Sequence, residues 1–117
     1  METTRKDSCV QRTERIRELN DAFRTTGKDG LTLITPGIQQ LGIYAQLLIV
    51  DQIRTFDAFD EANDPYREHD FGSIDFQGQR IFWKIDCYDL DMEMYSPDPT
   101  DPEVTARVLT IMLASEY

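Results

Sequence analysis

Residues 71–88 decide the predicted fold, and they read Phe-Gly-Ser-Ile-Asp-Phe-Gln-Gly-Gln-Arg-Ile-Phe-Trp-Lys-Ile-Asp-Cys-Tyr. Two runs of β-type composition flank Gln77-Gly78, a spacing that is typical of a hairpin with a two-residue turn. If Phe76 pairs with Gln79, the register of the whole hairpin follows. The opposed pairs are Ile74 with Ile81 and Gly72 with Trp83 on the core face, and Asp75 with Arg80, Ser73 with Phe82 and Phe71 with Lys84 on the other face.

Before the hairpin, the sequence predicts a helix, a strand and a second helix. An amphipathic helix over residues 12–26 carries a narrow apolar stripe of Ile16, Leu19, Ala22 and Phe23. Residues 31–35 have the composition and length of one strand. Thr35-Pro36 is a helix start, and the apolar residues that follow predict one continuous helix to about Ala58, the most buried helix of the fold.

After the hairpin, alternation in residues 89–95 predicts a further edge strand, and the prolines of residues 96–100 predict a loop. Asp101, Pro102 and Glu103 resemble a helix start, which predicts a last helix to the C-terminus. The order is therefore α-β-α-β-β-(β)-α. This order predicts an α+β fold in which a small antiparallel sheet of three or four strands packs against helices.

The length of 117 residues predicts a single domain over 1–117, with residues 1–12 as a flexible N-terminal extension. The longest apolar run, residues 47–50, is too short for a membrane span, and the charged N-terminus lacks the apolar stretch of a secretory signal. We therefore expect a cytoplasmic protein. In that reducing compartment Cys9 and Cys87 are expected to be free thiols.

The net charge of −10 is distributed unevenly along the chain. Residues 1–60 carry eight Lys or Arg against nine Asp or Glu, whereas residues 61–117 carry four against thirteen. Nucleic acids and anionic membranes are bound through basic side chains, so an acidic surface repels both. The charge predicts no direct binding to nucleic acid or membrane and favours a basic protein partner.

No motif for catalysis, cofactor binding or metal binding emerges from the sequence. His69 is the single histidine, and extending the hairpin ladder places it opposite Asp86, which predicts a structural ion pair. Pleat alternation then puts Cys87 on the other face of the sheet, which disfavours a Cys–His dyad. Asp86, Asp89, Asp91 and Glu93 have oxygen ligands for Ca²⁺ or Mg²⁺ but lack the glycine of a calcium loop, so we interpret them as a solvated acidic face.

The predicted partner-binding surface combines acidic and aromatic side chains, a combination found in protein interfaces. Trp83 is assigned to the core by the hairpin register. The candidate partner-binding residues are Glu68, Asp86, Tyr88, Asp89, Asp91, Glu93, Tyr95, Asp98 and Asp101.

Four segments carry a resemblance to a known family: residues 67–72 (Arg-Glu-His-Asp-Phe-Gly), 81–86 (Ile-Phe-Trp-Lys-Ile-Asp), 96–99 (Ser-Pro-Asp-Pro) and 107–112 (Arg-Val-Leu-Thr-Ile-Met). Over residues 14–117 the chain resembles a family of small proteobacterial proteins, common on plasmids and other mobile elements, that is known only as a domain of unknown function. The resemblance implies no catalytic residue. It implies a mobile-element context, in which small acidic proteins often disable host defence.

These observations together predict a non-enzymatic inhibitor of a basic nucleic-acid-handling protein, such as a CRISPR effector subunit or a restriction enzyme. Either imitation of DNA or simple blocking of a protein surface would serve that function. Two alternatives stay open: a general interaction module of plasmid maintenance, and a small enzyme that uses His69 with Asp86 or Glu68.

Overall fold

The computed structural model describes residues 5–117, with side chains from residue 8 onward. Helix α1 spans Arg5–Thr26 and is followed by strand β1 at Leu31–Ile34, helix α2 at Pro36–Gln39 and helix α3 at Ile43–Arg54. Strands β2 (Phe71–Phe76) and β3 (Gln79–Tyr88) form the hairpin, and strand β4 spans Ala106–Leu113. Short 3₁₀ turns flank β4 at Pro102–Val104 and Ala114–Glu116. No helix among the described residues is long and apolar enough to cross a membrane.

The four strands form one mixed sheet in the order β1-β4-β3-β2. The β2–β3 and β3–β4 pairs are antiparallel, whereas β1 runs parallel to β4. The predicted α+β class is confirmed. The expectation of a purely antiparallel sheet is wrong, because the chain crosses from β1 through both short helices and the hairpin before it returns beside β1.

The hairpin has the predicted register at every pair from Phe71↔Lys84 to Phe76↔Gln79. Its two turn residues, Gln77 and Gly78, both have positive φ angles, of 50° and 84°. Positive φ at both positions is the requirement of the type I′ turn, which matches the twist of a two-stranded ribbon. A side chain at Gly72 would overlap the indole of Trp83, so the core face of the hairpin needs glycine at that position.

The core lies between the sheet and the helices. Trp83, Ile81 and Ile111 from the strands are fully buried, as predicted for Trp83. They share one apolar cluster with residues from all three helices, namely Phe23, Ile38, Ile49 and Ile53. The helices therefore cover one face of the sheet, and the other face carries an aromatic cluster of Phe71, Phe82 and Tyr117.

The predicted C-terminal helix is wrong, because residues 106–113 form strand β4. The start signal at Asp101 is real, because its side chain accepts a hydrogen bond from the Glu103 amide at 2.9 Å, but the turn that it caps is only one 3₁₀ turn long. Residues 106–113 then pair with β1 and β3. A strand that is buried on both faces has a continuous apolar run, whose periodicity does not distinguish it from a buried helix.

The helices differ from the sequence prediction in three further respects. The predicted continuous helix from Pro36 breaks at Gly42, whose φ of 94° is a conformation that only glycine adopts readily. Helix α3 is also not buried throughout, since it exposes a row of apolar side chains. Helix α1 begins at Arg5 instead of Arg12, and it buries Ile16, Asn20, Phe23 and Arg24 while Ala22 is exposed. Residues 1–4 of the predicted extension lie outside the described residues.

The turn geometry makes a direct prediction. Glutamine pays a steric cost at positive φ that asparagine largely avoids, so Gln77→Asn should raise the free energy of unfolding by roughly 0.5–1 kcal/mol. Urea denaturation of the two proteins measures the difference. Gln79→Asn, one residue outside the turn, is the control and should not stabilise the fold.

Candidate functional site

The predicted partner-binding residues meet at one end of the sheet, where β3 leaves the sheet and β4 enters it. Tyr88 is paired with Ala106 there, and the Ser96 amide donates to the Cys87 carbonyl at 2.9 Å. Ser96 also bonds Thr105 through their hydroxyls at 2.7 Å. These contacts hold residues 86–105 at this end of the sheet, where Glu68 and Asp70 line a groove with Asp86 and Tyr95. We call residues 86–105 with Glu68 and Asp70 the acidic corner.

Residues 89–95 form a tight turn at the tip of this corner, and the predicted edge strand is wrong. We call these residues the acidic turn. The Asp89 amide donates to the Met94 carbonyl at 2.8 Å, and the Asp89 carboxylate accepts from the Glu93 amide at 3.0 Å. A single β-bridge joins Tyr88 to Tyr95. The side chain of Asp89 satisfies the backbone locally, and this replaces the ladder that an edge strand would need.

The acidic turn exposes apolar side chains between its carboxylates. Leu90, Met94 and Tyr95 are 64%, 72% and 81% exposed, and the Tyr95 ring stacks parallel to that of Tyr88 with 6.3 Å between centroids. Asp91 and Glu93 are exposed beside them. Sequence reasoning identified Tyr88 and Tyr95 but missed Leu90, Met92 and Met94, although their alternation with acidic residues was visible.

Two of the predicted partner-binding residues hold the next loop in place. The Asp98 carboxylate accepts from the Thr100 hydroxyl at 2.7 Å, from its amide at 3.1 Å and from Arg12 at 3.0 Å. The Thr100 bonds, assisted by Arg12, lower the pKa of Asp98. Asp101 caps the 3₁₀ turn after the loop, as described above. Both carboxylates therefore shape the corner as well as charge it.

A groove of about 340 Å³ lies between α1 and the end of β3, and Glu68, Asp70, Asp86 and Tyr95 line it. Burial, together with the neighbouring Asp70 carboxylate, raises the pKa of Glu68, and burial likewise raises the pKa of Asp70. Asp86 differs, because Lys84 lies 3.1 Å from its carboxylate. Within residues 8–117, neither Glu68 nor Asp70 forms an ion pair. Arg12 also lines the groove, and the charges of Arg12 and Arg107 offset only part of the rise in the pKa of Glu68.

His69 does not lie opposite Asp86, because the β2–β3 ladder ends at Phe71 and His69 has a φ of 54°. Its Nδ1 contacts both oxygens of Asp21, at 2.9 and 3.0 Å, and its Nε2 lies 3.5 Å from the Asp64 carboxylate. The ring stacks on Phe59 with 3.7 Å between centroids. His69 thus ties the loop after α3 to α1, and its carboxylate partners are Asp21 and Asp64 instead of the predicted Asp86.

Pleat alternation was predicted to put Cys87 and His69 on opposite faces of the sheet. That prediction does not apply, because His69 is not a strand residue. A groove of about 930 Å³ does run beside His69. Both ring nitrogens face carboxylates, however, and burial raises the pKa of the Cys87 thiol, which disfavours the thiolate. Cys87 therefore lacks the surroundings of an activated nucleophile, and both nitrogens of His69 already contact carboxylates. Among the described residues, no group of three or more His, Cys, Asp or Glu side chains is arranged to hold a metal ion.

Buried polar side chains of α1 connect this helix to the acidic corner and to the end of α3. Asn20 donates to the Glu68 carbonyl at 2.9 Å and accepts from Arg107 of β4 at 2.8 Å, and Arg107 also donates to the Pro99 carbonyl. One turn further, Arg24 donates to the carbonyls of Ile53 and Phe56. Sequence reasoning missed these residues, although Asn20 and Arg24 share the helical spacing of Ile16 and Phe23.

Comparison with known proteins assigns the chain to a family. The family model described as protein of unknown function, DUF3768, matches residues 34–116, and the chain belongs to this family. The match confirms the resemblance to a domain of unknown function. It covers the last residue of β1, the other three strands and the whole acidic turn, but not residues 14–33 of the expected range. No curated protein matches the chain, and no solved structure does.

The role of Asn20 can be tested by truncation. Asn20→Ala leaves the buried Nε of Arg107 and the Glu68 carbonyl without their Asn20 partner, so the free energy of unfolding should fall by about 2–4 kcal/mol. Urea denaturation with an unchanged m-value is the measurement. Gln11→Ala, at an exposed position of the same helix, should change stability by about 0.5 kcal/mol or less. Equal losses for the two variants would contradict the role of Asn20.

The raised pKa of Glu68 predicts a pH dependence of stability. The folded chain retains the Glu68 proton to higher pH than the unfolded chain, so the unfolding free energy falls as pH rises from the ordinary glutamate pKa of 4.5 through the raised value. Glu68→Gln removes this loss. The variant should be more stable than the wild type at neutral pH, by about 0.5 kcal/mol or less because the side chain is only half-buried and water screens it.

Denaturation midpoints between pH 4.5 and 7.5 measure this difference, which should grow as the pH rises. Glu103→Gln, at an exposed position, is the control and should follow the wild type. A Glu68→Gln variant that is less stable than the wild type at neutral pH would contradict the assignment.

Proposed function

We propose that this protein is a non-enzymatic binding protein that uses the acidic corner to occupy a basic surface of a nucleic-acid-handling protein and thereby inhibits it. The observation that carries the proposal is the acidic turn. It combines exposed apolar side chains with carboxylates on a backbone that is already fixed by its own hydrogen bonds. A CRISPR effector subunit or a restriction enzyme is a partner of the required kind, because both present basic surfaces to nucleic acid.

The apolar side chains favour a protein partner over simple charge repulsion as the role of this surface. Leu90, Met94 and Tyr95 are each more than half exposed on one seven-residue turn. Exposed apolar groups among charged ones are typical of contact surfaces, in which aromatic and methionine side chains are enriched. Carboxylates around them would steer a basic partner and set its orientation.

The fixed backbone favours tight binding as well. Ordering a flexible loop on binding costs free energy, and a preformed loop avoids most of that cost. The Asp89 bonds and the Tyr88–Tyr95 bridge order the turn before any partner arrives. A guanidinium or ammonium group from the partner that entered the groove would also relieve the unfavourable ionisation of Glu68 and Asp70.

These features support surface blocking more directly than imitation of DNA. Duplex DNA presents one charge per about 1.7 Å of its axis in two regular rows. The acidic turn instead alternates carboxylates with Leu90, Met92 and Met94, which have no counterpart on a phosphate backbone. We therefore favour a contact in which the apolar side chains fill pockets on the partner and the carboxylates pair with its basic rim.

The binding surface can be tested by charge reversal. Asp91→Lys with Glu93→Lys should weaken binding to a basic effector by about tenfold or more, because both carboxylates are exposed and neither has a role in folding the turn. Binding and inhibition are measured against purified restriction enzymes and CRISPR effectors at low and at physiological salt. Wild-type affinity should fall steeply as salt rises.

Asp57→Lys with Glu61→Lys is the matched control, since it makes the same change in net charge at exposed positions outside the acidic corner. That variant should keep affinity within about threefold of the wild type, because long-range charge effects on exposed groups are screened. Equal loss in both variants would show that only net charge matters. If the wild type binds and inhibits none of these proteins even at low salt, the proposed function is wrong.

A further inference from the structure

Helix α3 carries an apolar surface that the acidic corner does not use. Four large side chains on its outer face are exposed: Ile43 by 62%, Tyr44 by 82%, Leu47 by 61% and Leu48 by 55%. They lie at the spacing i, i+1, i+4, i+5, which places them side by side on one face of a helix. The opposite face of α3 buries Ile49 and Ile53 in the core. We call the four residues the α3 stripe.

The α3 stripe lies in the one long part of the chain that has no charge. No Asp, Glu, Lys or Arg occurs between Asp29 and Asp51, although 29% of the whole chain is charged. A soluble domain ordinarily places charged residues on the exposed face of such a helix. Their absence next to four exposed apolar side chains marks a surface that is built to be covered.

We propose that the α3 stripe is the contact surface of a homodimer, in which a second copy of this chain packs its own α3 across a two-fold axis. Two copies with a net charge of −10 each repel one another wherever their acidic surfaces meet. An uncharged surface is the place where identical chains can approach without that penalty. A basic partner, by contrast, gains nothing from a surface that has no carboxylates.

The location of the stripe keeps the two acidic corners apart. Helix α1 connects the two regions, because Arg12 near its start bonds Asp98 of the corner and Arg24 near its end bonds the Ile53 carbonyl of α3. Arg12 and Arg24 are 12 positions apart on the helix, which corresponds to about 18 Å along its axis. A dimer through α3 would thus leave both acidic corners exposed and free to bind a partner.

The sequence of the stripe suits an antiparallel two-fold contact. With the axis between Ala45 and Gln46, Ile43 packs on Leu48 of the second copy and Tyr44 packs on its Leu47, so that every apolar side chain meets another. The residue before α3 is Gly42, which provides no side-chain cap, and the first turn of α3 contains no acidic residue. The same arrangement brings the exposed Asp51 of the second copy towards this uncapped end, where a carboxylate is favourable.

Sedimentation equilibrium of the full chain from about 1 to 200 µM tests the proposal. The wild type should pass from the monomer mass of 13.6 kDa to twice that mass as concentration rises. Leu47→Glu should raise the dissociation constant by roughly tenfold or more, because it places an unpaired carboxylate against Tyr44 of the second copy in an apolar contact. Leu90→Glu is the matched control, with a leucine of similar exposure in the acidic turn, and it should dimerise like the wild type.

A wild type that stays monomeric at 200 µM would overturn the proposal, and so would a Leu90→Glu variant that loses the dimer while Leu47→Glu keeps it. Circular dichroism of each variant confirms that it is folded. Mixing Leu47→Glu with Tyr44→Lys should restore a heterodimer, since these positions meet across the two-fold axis, and failure of the mixture would overturn this pairing. Binding to a basic effector is scored separately, so the two proposals can fail independently.

Discussion

The pairing of strand β4 on both of its edges is the constraint on which the rest of the structure depends. β4 is antiparallel to β3 over eight residue pairs and parallel to β1 over four, and without it β1 would have no partner within the described residues. Its Leu109 and Ile111 form part of the core, while Arg107 at its start reaches Asn20 of α1. The same strand therefore joins β1 to the hairpin, anchors α1 and fixes the end of the sheet where the acidic corner lies.

The acidic corner is held from two sides by polar contacts of different kinds. Local side-chain bonds from Asp89, Asp98 and Asp101 shape its loops, and buried bonds from Asn20 and Arg107 join those loops to α1. Burying a guanidinium costs free energy unless its donors are paired, so this part of the molecule depends on complete hydrogen bonding more than the apolar core does. These hydrogen bonds hold the carboxylates and the apolar side chains of the surface in fixed positions relative to one another. That arrangement is what the proposed binding function requires.

The sequence predicted the hairpin correctly to the residue pair, because a two-residue turn and the alternation of Ile74, Ile81 and Trp83 leave only one register. It failed for residues 106–113, whose continuous apolar run fits a central strand and a buried helix equally well. The helix-like start at Asp101 favoured the helix, which was the wrong choice. The acidic corner was located by composition, but its shape rests on contacts such as Asn20 to Glu68 that join distant residues. Such contacts leave no periodic signal, so His69 was also given the wrong partner.

In the proposed function the acidic corner, and not net charge in general, receives a basic partner. An NMR titration of the ¹⁵N-labelled chain with a short arginine-rich peptide tests it most directly, because every carboxylate of the protein competes for the same probe. We expect saturable shifts at the amides of residues 86–95 and around Glu68, with little change near Asp57 and Asp75. Shifts spread evenly over all exposed carboxylates, or absent from the acidic turn, would contradict it.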